Sequence, residues 1–109
     1  MNLKSLIDTL NLKIIAGKNG LDKNISGCYI SDLLSLVMSR ALAGNVWITV
    51  QTNINIVAVA VLTEVGCIIL PEDVQPDKLA INKANIEDIP ILSSSMTAYD
   101  LACHLKEIL

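Results

Sequence analysis

The chain of 109 residues is poor in aromatic and charged side chains: it has no phenylalanine, one tryptophan, two tyrosines and only 17% charged residues. A disordered chain needs few large apolar groups and much charge, so the 52% hydrophobic content excludes one. The apolar residues are aliphatic and often β-branched, which favours buried parallel strands covered by helices. The length suits one domain and is too short for two, so we expect one α/β domain over residues 1–109.

Long apolar runs and excess positive charge are also absent. The longest uninterrupted apolar run is 56–62, far short of the ~20 residues that a membrane span requires. The start Met1-Asn2-Leu3-Lys4, with a polar break at Asp8, lacks the apolar core of a signal peptide. The net charge of −3 argues against nucleic acid as a partner. We therefore expect a cytoplasmic protein with neither a membrane nor a nucleic acid as its partner.

The three cysteines, Cys28, Cys67 and Cys103, form no C-x-x-C pair. Their odd number and wide spacing exclude a zinc knuckle or a thioredoxin-type pair and disfavour a disulfide framework. We expect three small buried hydrophobic side chains. An alternative is a thiol redox sensor at Cys28, because this residue lies just before a predicted helix N-terminus.

Motifs for phosphate, dinucleotide and metal chemistry are missing. No G-x-x-x-x-G-K-[ST] or G-x-G-x-x-G segment occurs, so a P-loop kinase and a Rossmann site are both unsupported. The single histidine, His104, lies on the predicted last helix and builds no triad or multi-ligand metal site. We expect no cofactor.

The first third of the chain reads as a helix followed by a short hairpin. Residues 2–10 carry apolar side chains at helical spacing. Residues 12–15 and 25–30 read as strands, and the segment Gly17-Lys18-Asn19-Gly20 between them has the turn chemistry of a hairpin.

From the strand 25–30 onwards, four successive βα units follow. Predicted strands at 46–50, 67–70 and 89–92 alternate with helices at 31–43, 53–65, 76–87 and from Ser95 or Thr97 to the end. The expected N-cap of the first helix is Ser31, and that of the second helix is Thr52 or Asn53. We expect the first helix to end at Gly44 and the second at Gly66. The third helix is expected to begin with Pro76. Residues 56–61 suit a strand by β-branching, but a strand there leaves no room for crossovers, so we predict a helix. The predicted fold is α/β, a mainly parallel sheet with helices on both faces.

Polar residues follow the predicted strands where open α/β sheets bind ligands. Their hydroxyls and the helix N-terminal amides suit a phosphate or carboxylate, although the same residue types are common N-caps. The three-serine run is the most suggestive part, because one cap needs one hydroxyl, whereas Glu72 and Asp73 repel an anion. The candidate ligand-binding residues are Ser31, Asp32, Gln51, Thr52, Asn53, Ser93, Ser94 and Ser95. An alternative is an enzyme, or an enzyme subunit, that uses the serine-rich strand ends.

Two predicted helices, 32–43 and 53–65, are apolar on more than one side. Such helices need cover on several sides, and a second protomer is the simplest cover in a chain of this length. We therefore predict a homodimer; the alternative cover is the N-terminal helix and hairpin. The predicted interface residues are Leu34, Met38, Ala41, Leu42, Ile56, Val59 and Ala60.

Three segments together resemble the DRTGG domain family. They are residues 27–35 (GCYISDLLS), 44–52 (GNVWITVQT) and 89–93 (IPILS), and the likeness extends over nearly the whole chain. More narrowly, the chain is similar to the small stand-alone DRTGG proteins of anaerobic bacteria that are often labelled as related to the HPr serine kinase. The kinase chemistry belongs to a P-loop domain that this chain lacks, so that label does not carry over.

The chain departs from the family at its name-giving motif. Gln51-Thr52-Asn53 stands where the family usually has Gly-Asp-Arg, and Leu70-Pro71-Glu72 stands where it usually has Thr-Gly-Gly. The resemblance implies a non-catalytic regulatory or dimerising module of the kind that accompanies phosphotransacetylase-like enzymes and CBS-containing pyrophosphatases. A self-associating module is therefore expected, with a small anionic metabolite as ligand and a metabolic enzyme or signalling protein as partner.

Overall fold

The computed structural model describes residues 1–109 and contains five α-helices and five strands. In chain order they are α1 (Leu3–Leu10), β1 (Lys13–Ala16), a 3-10 turn (Lys18–Gly20), β2 (Cys28–Ile30), α2 (Leu34–Arg40), β3 (Val46–Ile48), α3 (Asn55–Thr63), β4 (Cys67–Leu70), α4 (Lys78–Glu87), β5 (Ile91–Ser93) and α5 (Ala98–Ile108). The four predicted βα units are confirmed, and residues 56–61 are helical as predicted. None of the helices has the length and apolar content needed to cross a bilayer.

The strands form one sheet in the order β1-β5-β4-β3-β2, in which β2 to β5 are parallel and β1 is antiparallel to β5. Because β2 to β5 follow one another in one direction, crossovers of one hand place α2, α3 and α4 on the same face. Their core includes Trp47, Ile68 and Ile91, whereas α1 and α5 cover the other face around Ile69 and Leu92. The mainly parallel sheet with helices on both faces is confirmed.

The predicted hairpin is wrong, because β1 and β2 lie at opposite edges of the sheet. Gly17 and Gly20 do not form a tight strand-to-strand turn; they pack against the end of α4, where a Cβ at either glycine would collide with the carbonyl of Ile89 or Asp88. The amide of Gly17, which has a φ of +73°, donates to Oδ1 of Asn85 at 2.8 Å. These contacts hold β1 beside β5 instead of β2.

The segment 21–27 runs past α1 and the amino ends of the central strands to reach β2. Leu3 donates its amide to Lys23 at 2.9 Å, and Ser26 donates its amide to Gly44 at 3.0 Å. Ile25 is buried beneath α1 and α5. The predicted strand 25–30 is therefore shortened to three residues.

Several predicted helix ends shift by a few residues. Ser31 does not cap α2: its hydroxyl accepts from the amide of Leu33, and the helix ends at Arg40, before Gly44. α3 ends at Thr63, and its C-cap is Glu64 in a left-handed conformation, not Gly66. Pro76 precedes α4, which begins after Asp77. Thr97 is the N-cap of α5, since its hydroxyl accepts from the amide of Asp100 at 3.1 Å.

Burial corrects two predictions. Only Cys67 is a fully buried cysteine; Cys28 is half-buried and Cys103 is exposed. Three predicted interface residues, Ile56, Val59 and Ala60, lie in the chain's own core between α3 and the sheet, so they cannot form an interface with a second protomer.

Candidate functional site

The polar residues singled out from the sequence lie at the edge of the sheet where β2 to β5 end. The structure divides them into two groups. One group joins the ends of β2 and β3 through Asp32, Gln51 and Asn53, and the other follows β5 and comprises Ser93, Ser94 and Ser95. Thr52 connects the first group to the start of α4, because its carbonyl accepts from the amide of Asp77 at 2.8 Å.

The first group, which we call the Asp32 cluster (Asp32, Thr49, Val50, Gln51 and Asn53), is held by internal hydrogen bonds. Oδ1 of Asp32 accepts from the Thr49 hydroxyl at 2.8 Å and from the Val50 amide at 2.9 Å. The Thr49 hydroxyl also accepts from the Gln51 amide at 3.1 Å. The Gln51 side chain donates to the Asp32 carbonyl and accepts from Nδ2 of Asn53. The cluster thus fixes one loop against the other.

Two residues of this region were missed by sequence reasoning, Thr49 and Trp47. Thr49 is buried directly after the apolar strand β3, and Trp47 is wholly buried with its Nε1 donating to the carbonyl of Ser31 at 2.9 Å. A polar residue inside the predicted apolar strand 46–50 was the available signal for Thr49, because a buried hydroxyl requires a partner.

The serine run is partly structural. Ser93 lies in β5, paired with Leu70 of β4 and with Lys13 of β1. Ser94 is buried, and its hydroxyl accepts from the Met96 amide at 3.0 Å while its carbonyl accepts from the Asp73 amide at 2.9 Å. Ser95 is exposed. Ser94 therefore forms the turn between β5 and α5.

Strained backbone follows β4 at the same edge. Glu72 and Asp73 have φ values of 56° and 57°, a left-handed conformation that costs a residue with a Cβ roughly 1–2 kcal/mol. The amides of these two residues donate to Met96 and Ser94, so the loop after β4 is joined to the loop after β5. Both side chains are exposed carboxylates.

Ser93 is a buried residue, only 4% exposed, and its hydroxyl makes no hydrogen bond to the protein; since no buried side-chain oxygen lacks a partner, this hydroxyl reaches solvent. Along β5, Ile91 faces α2 to α4 and Leu92 faces α5, so Ser93 lies on the α4 side of the sheet. Lys13 is its neighbour across β1, and Lys78 begins α4 at the same edge. No side chain caps the first amides of α4.

The three cavities of the structure all lie away from this edge. One, of about 440 Å³, lies between β2 and α5. Another, of about 390 Å³, lies at the amino edge and is lined by Lys23, Glu64 and Glu87, and a third, of about 280 Å³, borders Met1 and Leu109. The predicted ligand residues thus form a surface and not a pocket.

Few groups have reactive chemistry. No three His, Cys, Asp or Glu side chains come together as a metal site, and His104 is exposed on α5. Burial raises the pKa of the Cys28 thiol to about 11. Burial, together with the nearby Cys28, raises the pKa of the Cys67 thiol to about 12. A raised pKa disfavours the reactive thiolate, which contradicts the redox-sensor alternative.

Among solved structures, the crystal structure of the CBS and DRTGG domains of the regulatory region of Clostridium perfringens pyrophosphatase, complexed with the activator diadenosine tetraphosphate, is similar to this chain. The TM-score is 0.69 at 16% identity, over 95% of this chain and 45% of that one, so the chain spans less than half of its length. The likeness shows a DRTGG-like α/β fold. No protein-family model and no curated protein matches the sequence.

Proposed function

We propose that the chain is a non-catalytic regulatory module that self-associates through the outer surface of α2 and α3. The observation that carries this proposal is the outer face of α3, a helix without a charged residue between Asn55 and Thr63. Most helices at a protein surface carry charge on the side that faces water. A regulatory role agrees with the similar solved structure, which is a regulatory region. We further expect a cytoplasmic setting, with an enzyme or a signalling protein as partner.

The outer helical surface consists of exposed apolar residues on α2 and α3 and next to the ends of these helices. Leu42 and Leu62 are each 69% exposed and Met38 is 44% exposed. The full set is Met38, Leu42, Ile54, Ala58, Val61 and Leu62. Exposed apolar side chains that lie together on one surface are typical of an interaction site. This surface replaces the predicted interface, of which Met38 and Leu42 are kept; Leu34 and Ala41 are only half-buried and lie beside it.

Light scattering at increasing protein concentration tests self-association. We expect a dimer at micromolar concentration, and we expect Leu62→Glu to give a monomer, because a twofold interface brings the introduced charge in twice. The control is Tyr99→Glu, an equally exposed position on α5 at the other face of the sheet, which keeps the dimer. A mass near 11.7 kDa at every concentration would refute the dimer.

A non-catalytic role is tested on the serines that the enzyme alternative requires. The Ser94 hydroxyl already accepts a hydrogen bond from Met96, and the only histidine is exposed on α5. We expect a fluorophosphonate probe to leave Ser93, Ser94 and Ser95 unlabelled. Stoichiometric labelling of any of the three would support the enzyme alternative instead.

A second candidate function is binding of a small anion at the start of α4. The Ser93 hydroxyl, which reaches solvent without a protein partner, favours it, and so do Lys13, the partner of Ser93 across β1, and the uncapped N-terminus of α4, which begins with Lys78. The exposed carboxylates of Glu72 and Asp73 oppose it. The site excludes the Asp32 cluster, where the Asp32 carboxylate repels an anion and its Oδ1 is bonded to Thr49 and Val50.

Thermal shifts with inorganic phosphate, ATP and diadenosine tetraphosphate test this second candidate. A bound ligand stabilises the folded chain by RT ln(1 + [L]/Kd), so the midpoint rises with concentration. We expect Ser93→Ala to abolish the rise and Ser95→Ala, at the exposed neighbouring position, to preserve it. Absence of any shift, or equal shifts in both variants, contradicts the site.

A further inference from the structure

The strand β2 leaves one edge of the sheet open. The carbonyl of Gly27 accepts from the amide of Val46 at 3.0 Å, so Gly27 and Tyr29 turn their backbone groups towards β3. Backbone groups alternate in direction along a strand, and those of Cys28 and Ile30 therefore point away from the sheet. This edge offers two amides and two carbonyls to another strand.

A groove runs beneath this open edge, on the α5 side of the sheet. It is the cavity of about 440 Å³, within the size range of ligand pockets (about 300–1,000 Å³). β2 contributes Cys28 and Ile30, and α5 and the residue after it contribute Ala102, Leu105, Lys106 and Leu109. The lining side chains are aliphatic apart from the thiol and Lys106, and none of them is acidic.

The two edges of the sheet differ in how they are protected against pairing. β1, at the far edge, begins with Lys13 and has an irregular register between Ile14 and Ala16, two devices that discourage an added strand. β2 pairs with β3 in continuous register, carries no charge or proline, and exposes 48% of Ile30. Only β2 thus presents a regular apolar edge.

We propose that the β2 edge and its groove bind an extended peptide segment of a partner protein, which adds a strand to the sheet. Its backbone would pair with Cys28 and Ile30, and two aliphatic side chains at alternate positions would enter the groove. A carboxylate near them would pair with Lys106, the one charged side chain of the lining. At about 3.3 Å per residue, the three-residue edge accepts a segment of three to five residues.

Charge favours a partner protein over a second copy of this chain. The residues of β2 are Cys28, Tyr29 and Ile30, so a second β2 strand paired at this edge has no carboxylate within the paired segment to offer to Lys106. An acidic, aliphatic peptide supplies a carboxylate from within the paired segment.

The proposal is tested with a panel of capped, fluorescein-labelled peptides in which threonine alternates with valine, isoleucine or leucine and glutamate ends the segment. Fluorescence anisotropy measures affinity, and NMR hydrogen exchange identifies the protected amides. We expect saturable binding that slows exchange at Cys28 and Ile30. N-methylation of the peptide's pairing residues removes its backbone donors and should abolish binding.

Two pairs of protein variants locate the site. Ile30→Lys should weaken binding by about tenfold or more, whereas Ile14→Lys, at a 41% exposed position on the other edge strand, should not change it. Lys106→Glu should weaken binding of the glutamate-ended peptide, whereas a lysine-ended peptide should bind this variant as tightly as the glutamate-ended peptide binds the unchanged protein. Lys4→Glu on α1 is the control. Unfolding curves confirm that each variant folds.

Three results overturn the proposal. The first is no saturable binding by any peptide of the panel up to about 1 mM, the weak end of specific affinities. The second is equal affinity of the Ile30→Lys and Ile14→Lys variants. The third is protection of the Cys28 and Ile30 amides that grows with protein concentration in the absence of peptide, which would assign the edge to a second copy.

Discussion

The hydrogen bond between Asp32 and Thr49 should stabilise the fold measurably, because the Asp32 cluster acts as a structural joint. Thr49→Val replaces a buried hydroxyl by a methyl group of similar size. It removes the 2.8 Å bond to the Asp32 carboxylate and the 3.1 Å bond from the Gln51 amide. Asp32→Ala removes the same first bond and the 2.9 Å bond from the Val50 amide.

The size of the effect follows from these bonds. A hydrogen bond to a charged group contributes about 1.5–3 kcal/mol and a neutral one about 1 kcal/mol, so Thr49→Val, which loses one of each, should lower the free energy of unfolding by about 2.5–4 kcal/mol. Asp32→Ala should lower it by about 1.5–3 kcal/mol, since it loses the shared bond while water replaces the bond at the exposed Val50 amide. The shared bond is lost only once in the double variant, which should therefore show a coupling energy of about 1.5–3 kcal/mol.

Urea unfolding followed by the fluorescence of Trp47, the single tryptophan, measures all four members of this cycle. The matched control is Thr63→Val, because the Thr63 hydroxyl bonds the carbonyl of Val59 within α3. Thr63 lies at the opposite end of the sheet from Asp32, and the two substitutions should be additive. Additivity of Asp32→Ala and Thr49→Val, within about 0.3 kcal/mol, would refute the structural role of this bond.

Three further predictions follow from the backbone and the buried groups. Asp73→Gly should raise the free energy of unfolding by about 0.5–1 kcal/mol, because glycine relieves the left-handed strain, and Asp77→Gly, at a φ of −64°, should not. The free energy of unfolding should fall as pH rises from 9.0 towards 12, because the pKa of Cys28 is raised to about 11 and that of Cys67 to about 12 in the folded chain. The thiols of the unfolded chain therefore lose their protons at lower pH than those of the folded chain. Urea titrations should show a smaller fall when both cysteines are replaced by alanine. Asn45→Ala should lower the free energy of unfolding by about 2–3 kcal/mol, because it removes two hydrogen bonds of a buried side chain. A loss of less than about 0.5 kcal/mol in calorimetry would contradict this prediction.

The βα half of the fold could be predicted because its signals are local and repeat. Apolar strands bounded by Gly66 and Pro71 and the room needed for crossovers were enough to predict a helix at 56–61. The hairpin prediction was wrong because the Asn19-Gly20 dipeptide indicates a turn but not which strand pairs with β1. The partner of β1 is decided by packing of Gly17 and Gly20 against α4 and by pairing with β5, which no neighbouring residue reveals.

The candidate site was predictable in place but not in role. Residues after parallel strands necessarily share one edge, so Asp32, Gln51 and Ser93 were expected to lie along it. Whether a polar side chain is free or bonded depends on partners elsewhere in the chain. Asp32 meets Thr49 from the next strand, and Ser93 meets none. The prediction of interface residues was wrong for a similar reason. Because α3 is apolar on all sides, the sequence does not indicate that Val59 is buried and Leu62 is exposed.

The pairing of β1 with β5 has a consequence for the order in which the chain assembles. Lys13 is bonded in register with Ser93, 80 positions later, whereas each of the other strand pairs joins successive βα units. During synthesis, β1 leaves the ribosome early and must wait for β5, the last strand to appear. The units from β2 onward can build the sheet one strand at a time, and docking of the N-terminal segment then closes the edge beside β5. Hydrogen exchange during refolding should accordingly show the amides of β3 and β4 protected before those of β1.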